Sequence, residues 1–263
     1  MYHRLVGDAD RAIHVQKRDP TVREIVAAWR RLTGGKPVKD ADRATIVACS
    51  GGGDSSALVL ALASTPAPVR VVHVVHAMRT ASETRADADA TGLLAERTGC
   101  AFELIELECG DDAARTEAAA AEARRRALAE VAARRGIGYI ATGHTADDQL
   151  ETLLMRTARG AGPRGMRGVL ASRPCGSAAI VRPMLGVTHE HALELCRRAG
   201  WRWREDRTNL ETDRVRAALR ANVVPALRAI LPDAAAGAAR TAATMAQHEA
   251  SIDRRARDLV AAF

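Results

Sequence analysis

Residues 50–56 read SGGGDSS and connect the apolar run TIVAC to the apolar run ALVLALA. Three consecutive glycines lose much backbone freedom on folding, so their presence at one turn needs a compensating role. A glycine-rich turn between a strand and a helix presents backbone N–H groups at the helix N-terminus, where the partial positive charge favours phosphate. The serines of this stretch add hydroxyl donors, and Asp54 adds a carboxylate of the kind that shares Mg²⁺ with phosphate oxygens. The stretch therefore predicts a nucleotide-phosphate loop.

Three other interpretations of this stretch fit less well. A Walker A loop needs GxxxxGK[ST], and no lysine lies near. A GxGxxG fingerprint would start at Gly51 but cannot be completed by residues 54–56. A simple helix cap explains a Ser-Gly pair but not six residues. SGGGDS instead resembles the SGGxDS loop of the ATP pyrophosphatase (PP-loop) superfamily, which implies ATP cleaved between its α- and β-phosphates. The ATP-binding residues so implied are Ser50, Gly51, Gly52, Gly53, Asp54, Ser55 and Ser56.

A second stretch with chemical potential is GHTADDQLETLLMRTARGAG, residues 143–162. Asp147 and Glu151 are four apart on a predicted helix and share one face, with Asp148 beside them. Such like charges are destabilising unless a cation lies between them, which favours a ligand over the alternative, a solvated acidic helix N-terminus. His144 precedes the cluster and would either transfer a proton or fill a structural role.

Short apolar runs alternate with helical segments along the chain. The predicted strands are 45–49, 69–75, 101–107, 138–142 and 179–183, and the predicted helices are 20–34, the segment that follows the glycine loop, 82–98, 114–135, 146–159 and 190–199. Alternation of this kind predicts an α/β fold with a doubly wound, mostly parallel five-stranded sheet. Ligands bind at the carboxyl ends of such strands, where SGGGDSS is expected. We expect an N-terminal helical segment (1–44), a PP-loop domain (45–212) and a helical extension (213–263).

Composition narrows the class of protein. The 263 residues carry a formal net charge of +7, and residues 197–228 contain nine arginines against four acids. This local excess favours a nucleic-acid surface, with biased genome composition as the alternative. The five cysteines form no CxxC pair, which indicates reduced thiols rather than a metal or redox motif. We find no apolar run of membrane-spanning length and no signal peptide, and expect a cytoplasmic protein.

Further motifs occur in an order that resembles the tRNA(Ile)-lysidine synthetase family. They are the 143–162 stretch (GHxxDDxxETxLLRxxRGxG in the family), HVVHAMR (73–79), EAAAAEARRRAL (117–128), RPML (182–185) and EDRTNLETDRVRAALRANVVPAL (205–227). Ala121, Arg125 and Ala217 depart from the family's arginine, tyrosine and asparagine, and Arg207-Thr208 replaces Pro-Ser.

The resemblance implies a two-step reaction on the wobble cytidine (position 34) of the tRNA(Ile) with a CAU anticodon. ATP adenylates the cytosine C2 oxygen and releases pyrophosphate, and the ε-amine of free L-lysine then displaces AMP. Mg²⁺ would be held by Asp54 and Asp148. The implied catalytic residues are Asp54, Asp147, Asp148, Glu151, His144 and Arg124, with His76 at ATP. Lysine or tRNA would contact Arg79, Asp147, Glu151, Arg216 and Arg220.

Two alternatives stay open at this point. One is another PP-loop tRNA-modifying enzyme, a 2-thiocytidine-type thiolase, which would need CxxC pairs or a catalytic cysteine. The other is a degenerate PP-loop protein that binds RNA without catalysis, favoured by Ala121 and Ala217. The resemblance makes residues 45–212 the catalytic domain, and we expect no separate C-terminal tRNA-binding domain of the kind that longer family members carry. A homodimer is one arrangement that would compensate for its absence.

Overall fold

The computed structural model describes residues 12–76, 81–107, 117–204 and 214–261. The strands are β1 (Thr45–Ala48), β2 (Val69–His76), β3 (Ala101–Leu107), β4 (Tyr139–Thr142), β5 (Ser172–Cys175) and β6 (Ala178–Val181). The helices are α1 (Pro20–Leu32), α2 (Gly53–Ala63), α3 (Ala81–Arg97), α4 (Glu117–Arg135), α5 (Ala146–Ala158), α6 (His189–Arg198), α7 (Arg214–Ala218), α8 (Val224–Ile230) and α9 (Ala234–Ala261). A π-helical turn, Leu219–Val223, joins α7 to α8.

These strands form one sheet in the order β3-β2-β1-β4-β6-β5. All neighbours are parallel except β5 and β6, which form an antiparallel hairpin at the edge. The expected doubly wound, mostly parallel α/β sheet is thus confirmed, with one strand more than the five predicted. The additional strand, β5, is four residues long and contains Pro174, a residue that sheets accept at their edges.

Strand order explains where a ligand can bind. The chain leaves β1 for β2 and β3 on one side and returns to place β4 on the other side of β1. The loops that follow β1 and β4 therefore diverge, which opens a crevice at the carboxyl ends of these two strands. SGGGDSS follows β1, and the acidic stretch follows β4.

Helices cover both faces of the sheet. Residues of α1, α2, α3 and α6 form one buried cluster, and α4 packs on the other face. Trp29 of α1 is fully buried, and its indole N–H donates to Thr45 Oγ1 at 3.1 Å. Arg43 is also buried, and its guanidinium donates to the Thr33 carbonyl at 2.6 Å. The N-terminal helix is therefore fastened directly to β1, while a boundary at residue 44 stays a prediction.

The C-terminal helices pack beside α5. A third apolar cluster joins Ala146 and Leu150 of α5 to Val224 of α8 and Ala235 of α9. This contact brings the arginine-rich helices next to the acidic residues of α5. Among the residues that the structure describes, no helix is both long and apolar enough to cross a membrane.

Candidate active site at the carboxyl ends of β1 and β4

The glycine loop closes on itself through serine hydroxyls. Gly51 has a φ of +89°, in the left-handed region that side chains rarely adopt. The Ser50 N–H donates to Ser55 Oγ at 3.2 Å, and Ser55 Oγ donates to the Gly52 carbonyl at 3.0 Å. The N-terminus of α2 at Gly53 thus points out of a tight turn, which is the geometry that binds phosphate.

Two glycines allow neighbouring elements to approach this loop. A Cβ on Gly143 would lie 3.0 Å from the Ser55 nitrogen, so the turn after β4 packs against the first turn of α2. A Cβ on Gly53 would lie 2.1 Å from Leu193 of α6. The N-terminus of α6, one turn before Leu193, is therefore held close to the loop.

The first residue of α6 contacts the loop aspartate. His189 Nδ1 lies 2.8 Å from Asp54 Oδ1, and the backbone N–H of His189 donates to Asp147 Oδ2 at 2.7 Å. Burial raises the pKa of the Asp54 carboxyl; the bond to His189 opposes this rise, and the charges of Asp148 and Asp147 add to it. The bond to Asp54 raises the pKa of His189. His189 thus joins the glycine loop to the acidic cluster.

His189 lies outside the motifs that predicted site residues. Only its position in the sequence pointed to a functional role: His189 lies four residues after the RPML motif and directly after Thr188, the residue that caps α6. Histidine is too common a structural residue for that position alone to identify a site.

The three predicted acidic residues converge, and arginines of the chain neutralise them. Asp147 pairs with Arg228. Asp148 Oδ2 accepts the Thr145 N–H at 2.7 Å as a helix cap, and Asp148 Oδ1 accepts from Arg216 at 2.6 Å. The cation that the acidic spacing requires is therefore supplied, within the described part of the chain, by the arginine-rich segment.

Glu151 is the most buried member of this cluster, with its side chain 2% exposed. Its Oε2 accepts from Arg216 Nε at 2.6 Å, and its Oε1 accepts from Arg220 Nε at 2.7 Å. This contact raises the pKa of Arg220. Arg216 and Arg220 are four apart and share one helical face, which was a signal that both could reach the same carboxylate.

His144 lies between β4 and the acidic cluster in the sequence, and its side chain is half-buried. Its Nδ1 is 2.9 Å from Thr142 Oγ1. Burial lowers the pKa of His144; Asp148 opposes this change, and Arg182 and Arg216 strengthen it. A neutral imidazole at this position can accept a proton at neutral pH.

The remaining predicted residues lie elsewhere or outside the described part. Arg124 is on α4 with an exposed side chain. His76 ends β2, but its side chain is outside the described atoms, and Arg79 lies outside the described residues. The hydroxyl of Ser56 is buried and makes no hydrogen bond to any described group.

The cysteine thiols near the loop are poorly suited to nucleophilic chemistry. Cys49 is buried, and burial raises its pKa. Burial also raises the pKa of Cys196 to about 12, and its thiol donates to the Gly53 carbonyl at 3.4 Å. A reactive cysteine needs a lowered pKa and some exposure.

Among the described residues, no group of three or more His, Cys, Asp or Glu residues is arranged to hold a metal ion. Cys109 lies outside the described ranges.

The architecture is similar to that of a solved tRNA-modifying enzyme. The U34-tRNA thiolase NcsA from Methanococcus maripaludis, solved with its [4Fe-4S] cluster, matches with a TM-score of 0.69 over 88% of this chain and 81% of that chain. The two sequences are 14% identical, so this similarity concerns the fold alone.

Sequence comparison identifies the family. Residues 25–227 match the PP-loop domain family. The tRNA(Ile)-lysidine synthase of Salinispora tropica is 41% identical over 239 residues, which cover 88% of this chain and 71% of that protein. The same-named protein of Salinispora arenicola is 40% identical over 80% of this chain and 65% of its own length. That of Nocardia farcinica is 36% identical over 92% of this chain and 72% of its own length. The match to the domain and the identity to these relatives show that the chain belongs to the tRNA(Ile)-lysidine synthase family of PP-loop proteins.

Proposed function

We propose that the chain adenylates the wobble cytidine of the CAU-anticodon tRNA(Ile) with ATP and then couples the ε-amine of L-lysine to C2 of that base. The products are lysidine, AMP and pyrophosphate, and the enzyme is a ligase that forms a carbon–nitrogen bond. The observation that carries the proposal is the convergence of the glycine loop, Asp54 and the acidic cluster at the carboxyl ends of β1 and β4. A tRNA substrate also favours a cytoplasmic location.

The first half-reaction needs stabilisation of a departing pyrophosphate. The loop N–H groups at the start of α2 would bind phosphate oxygens, because they are oriented outward before the substrate arrives. Mg²⁺ is the cation expected with ATP, and it neutralises phosphate charge when it is bound. Asp54 fits such an ion, since its side chain is 30% exposed and only one of its oxygens is engaged by His189. Asp148 fits less directly, because both of its oxygens already accept hydrogen bonds.

The second half-reaction needs a binding site for an ammonium group and a proton acceptor. We assign the lysine to Asp147 and Glu151, where its charge would replace that of an arginine. Arg220 is the arginine best placed to yield, since its side chain is 49% exposed while that of Glu151 is 2% exposed. His144, held neutral by burial, would accept a proton from the amine before attack.

The two alternatives lose support from particular observations. A thiolase would need a reactive thiol or a cluster ligand set, and the described cysteines near the loop have raised pKa values. A non-catalytic RNA-binding protein would not need an ordered loop with Asp54 joined to His189. A homodimer stays a prediction.

The test is mass spectrometry of tRNA after incubation with the protein, ATP and lysine. We expect one cytidine to gain the mass of one lysine less one water, and no gain when either ATP or lysine is omitted. Gain of sulfur in a parallel reaction with a sulfur donor would favour the thiolase. If no candidate tRNA causes the protein to release pyrophosphate from ATP, the result would favour a non-catalytic RNA-binding protein.

A further inference from the structure

Arg182, the arginine of the RPML motif, has no part in the reaction described above. It directly follows β6, and its NH1 group donates to the Leu170 carbonyl at 2.7 Å. Its Nε atom is buried and makes no hydrogen bond to any residue that the structure describes. The guanidinium group therefore keeps donor capacity that no described protein group uses, although a buried polar group is normally satisfied.

Two more arginines lie beside it. Arg173 pairs with Ile180 across the β5–β6 hairpin, so Arg182, two residues further, is its diagonal neighbour on the same face. That face packs on α4 through Ile180 and Leu128, and Arg125 lies one turn before Leu128. We call Arg125, Arg173 and Arg182 the arginine cluster.

The arginine cluster has more positive than negative charge around it. Burial, together with the charges of Arg173 and Arg125, lowers the pKa of Arg182 to about 10. Arg125 pairs with Glu122, whose side chain is 52% exposed. Among the described carboxylates, none forms an ion pair with Arg173. Asp148 places an opposing charge near Arg182, and it is already bound by Arg216. Such a gathering of partly buried like charges is stabilised by an anion with several oxygens.

The arginine cluster borders the active site on the side away from the glycine loop. Val181, which precedes Arg182, pairs with Ala141 of β4, and β4 leads to His144. The glycine loop follows β1, on the other side of β4. If the phosphates of ATP bind at the glycine loop, the arginine cluster therefore remains available to a second phosphate-bearing group.

We propose that the arginine cluster binds a phosphodiester group of the RNA strand next to the cytidine that is modified. This assignment rests on the proposed function. The planar guanidinium fork pairs with two phosphate oxygens at once, which fixes the orientation of the strand as well as its charge. Arg125 stands where the family motif has tyrosine, so this contact extends the family pattern at one position of this chain.

The test measures the affinity of a CAU anticodon stem-loop RNA without ATP or lysine. The variants are Arg173→Gln, Arg125→Tyr and Arg182→Lys, and the matched control is Arg126→Gln, an exposed arginine of the same helix. We expect Arg173→Gln to weaken RNA binding by about 10-fold and to lower the slope of log Kd against log salt by about 0.7. Arg182→Lys keeps the charge but loses the fork, and should weaken binding less than Arg173→Gln. ATP affinity, measured separately, should stay within about twofold of the wild type.

Three outcomes would overturn the assignment. The first is RNA affinity in Arg173→Gln and Arg125→Tyr equal to that of Arg126→Gln. The second is a loss of ATP affinity that matches the loss of RNA affinity, which would indicate that the cluster binds a phosphate of ATP. The third is a wild-type protein that does not bind the RNA. A protein that binds RNA through the cluster yet forms no lysidine would overturn the proposed reaction and retain this site.

Discussion

Asp54 of the glycine loop and His189 at the start of α6 are 135 residues apart in sequence, and their side chains meet at 2.8 Å. The backbone N–H of the same histidine binds Asp147. One residue therefore ties the loop after β1 to the cluster after β4. The position of α6 that allows this depends on Gly53, where a side chain would collide with Leu193.

Asp54→Asn tests the loop carboxylate. We expect the rate of ATP-dependent lysine incorporation into tRNA to fall by about 100-fold or more, because a neutral amide is a much weaker ligand than a carboxylate for the Mg²⁺ that would neutralise the phosphates. The amide keeps the size of the side chain and a hydrogen bond to His189, so the unfolding temperature should be nearly unchanged. Asp89→Asn, an exposed change on α3, is the control. Incorporation by Asp54→Asn at the wild-type rate would exclude Asp54 from the site.

Glu151→Gln tests the buried carboxylate of α5. The change leaves Arg216 and Arg220 without their shared counter-charge, and we expect the free energy of unfolding to fall by about 3 kcal/mol. We also expect lysine incorporation to be lost. Urea unfolding measures the first effect and labelled lysine the second. Glu130→Gln, an exposed change on α4, should alter neither.

The double variant Glu151→Gln/Arg220→Gln separates charge pairing from packing. If the ion pair carries the effect, the double variant should lose less stability than the sum of the two single variants. Strict additivity would contradict the pairing as a source of stability.

Much of the fold follows from patterns in the sequence. The parallel strands and their helices were predictable, because β-branched apolar runs alternate with helical segments. Strand β5 was not, since four residues that include a proline carry little strand signal and gain their structure from pairing with β6. Local pattern contains no information on such a partner.

The residues expected to face the ligand were predictable from the sequence, whereas the contacts that those residues make within the chain were less so. The glycine loop and the spacing of the acidic residues predicted ligand-binding residues, because few structural roles explain these patterns. Arg228 was expected among residues that grip RNA, but it pairs with Asp147. His189 was missed for the same reason: both contacts depend on how α6 and α8 pack, which spacing along the chain does not specify.

Gly143→Ala tests the close approach of the turn after β4 to the loop. The added Cβ would lie 3.0 Å from the Ser55 nitrogen and 3.1 Å from the Asp54 carbonyl carbon, so the loop backbone must shift. We expect ATP affinity, measured by equilibrium dialysis, to fall by about 10-fold, since the loop N–H groups lose their alignment. Gly138→Ala is the matched control, because a Cβ there meets no atom within 4 Å. Equal ATP affinity in both variants would show that the loop tolerates the shift.

His144 gives the folded protein a defined response to acid. Burial lowers its pKa below the usual 6.5, so the unfolded chain takes up a proton at a higher pH than the folded protein does. The stability linked to His144 is therefore complete above about pH 6.5 and declines as the pH falls towards the lowered pKa. We expect the wild-type unfolding temperature to drop more between about pH 7.5 and about pH 5 than that of His144→Asn. His191→Asn removes an exposed histidine and should retain the wild-type drop. A drop in His144→Asn as large as that of the wild type would mean that folding does not lower the pKa of His144, and would contradict the neutral imidazole assigned here as the acceptor of the amine proton.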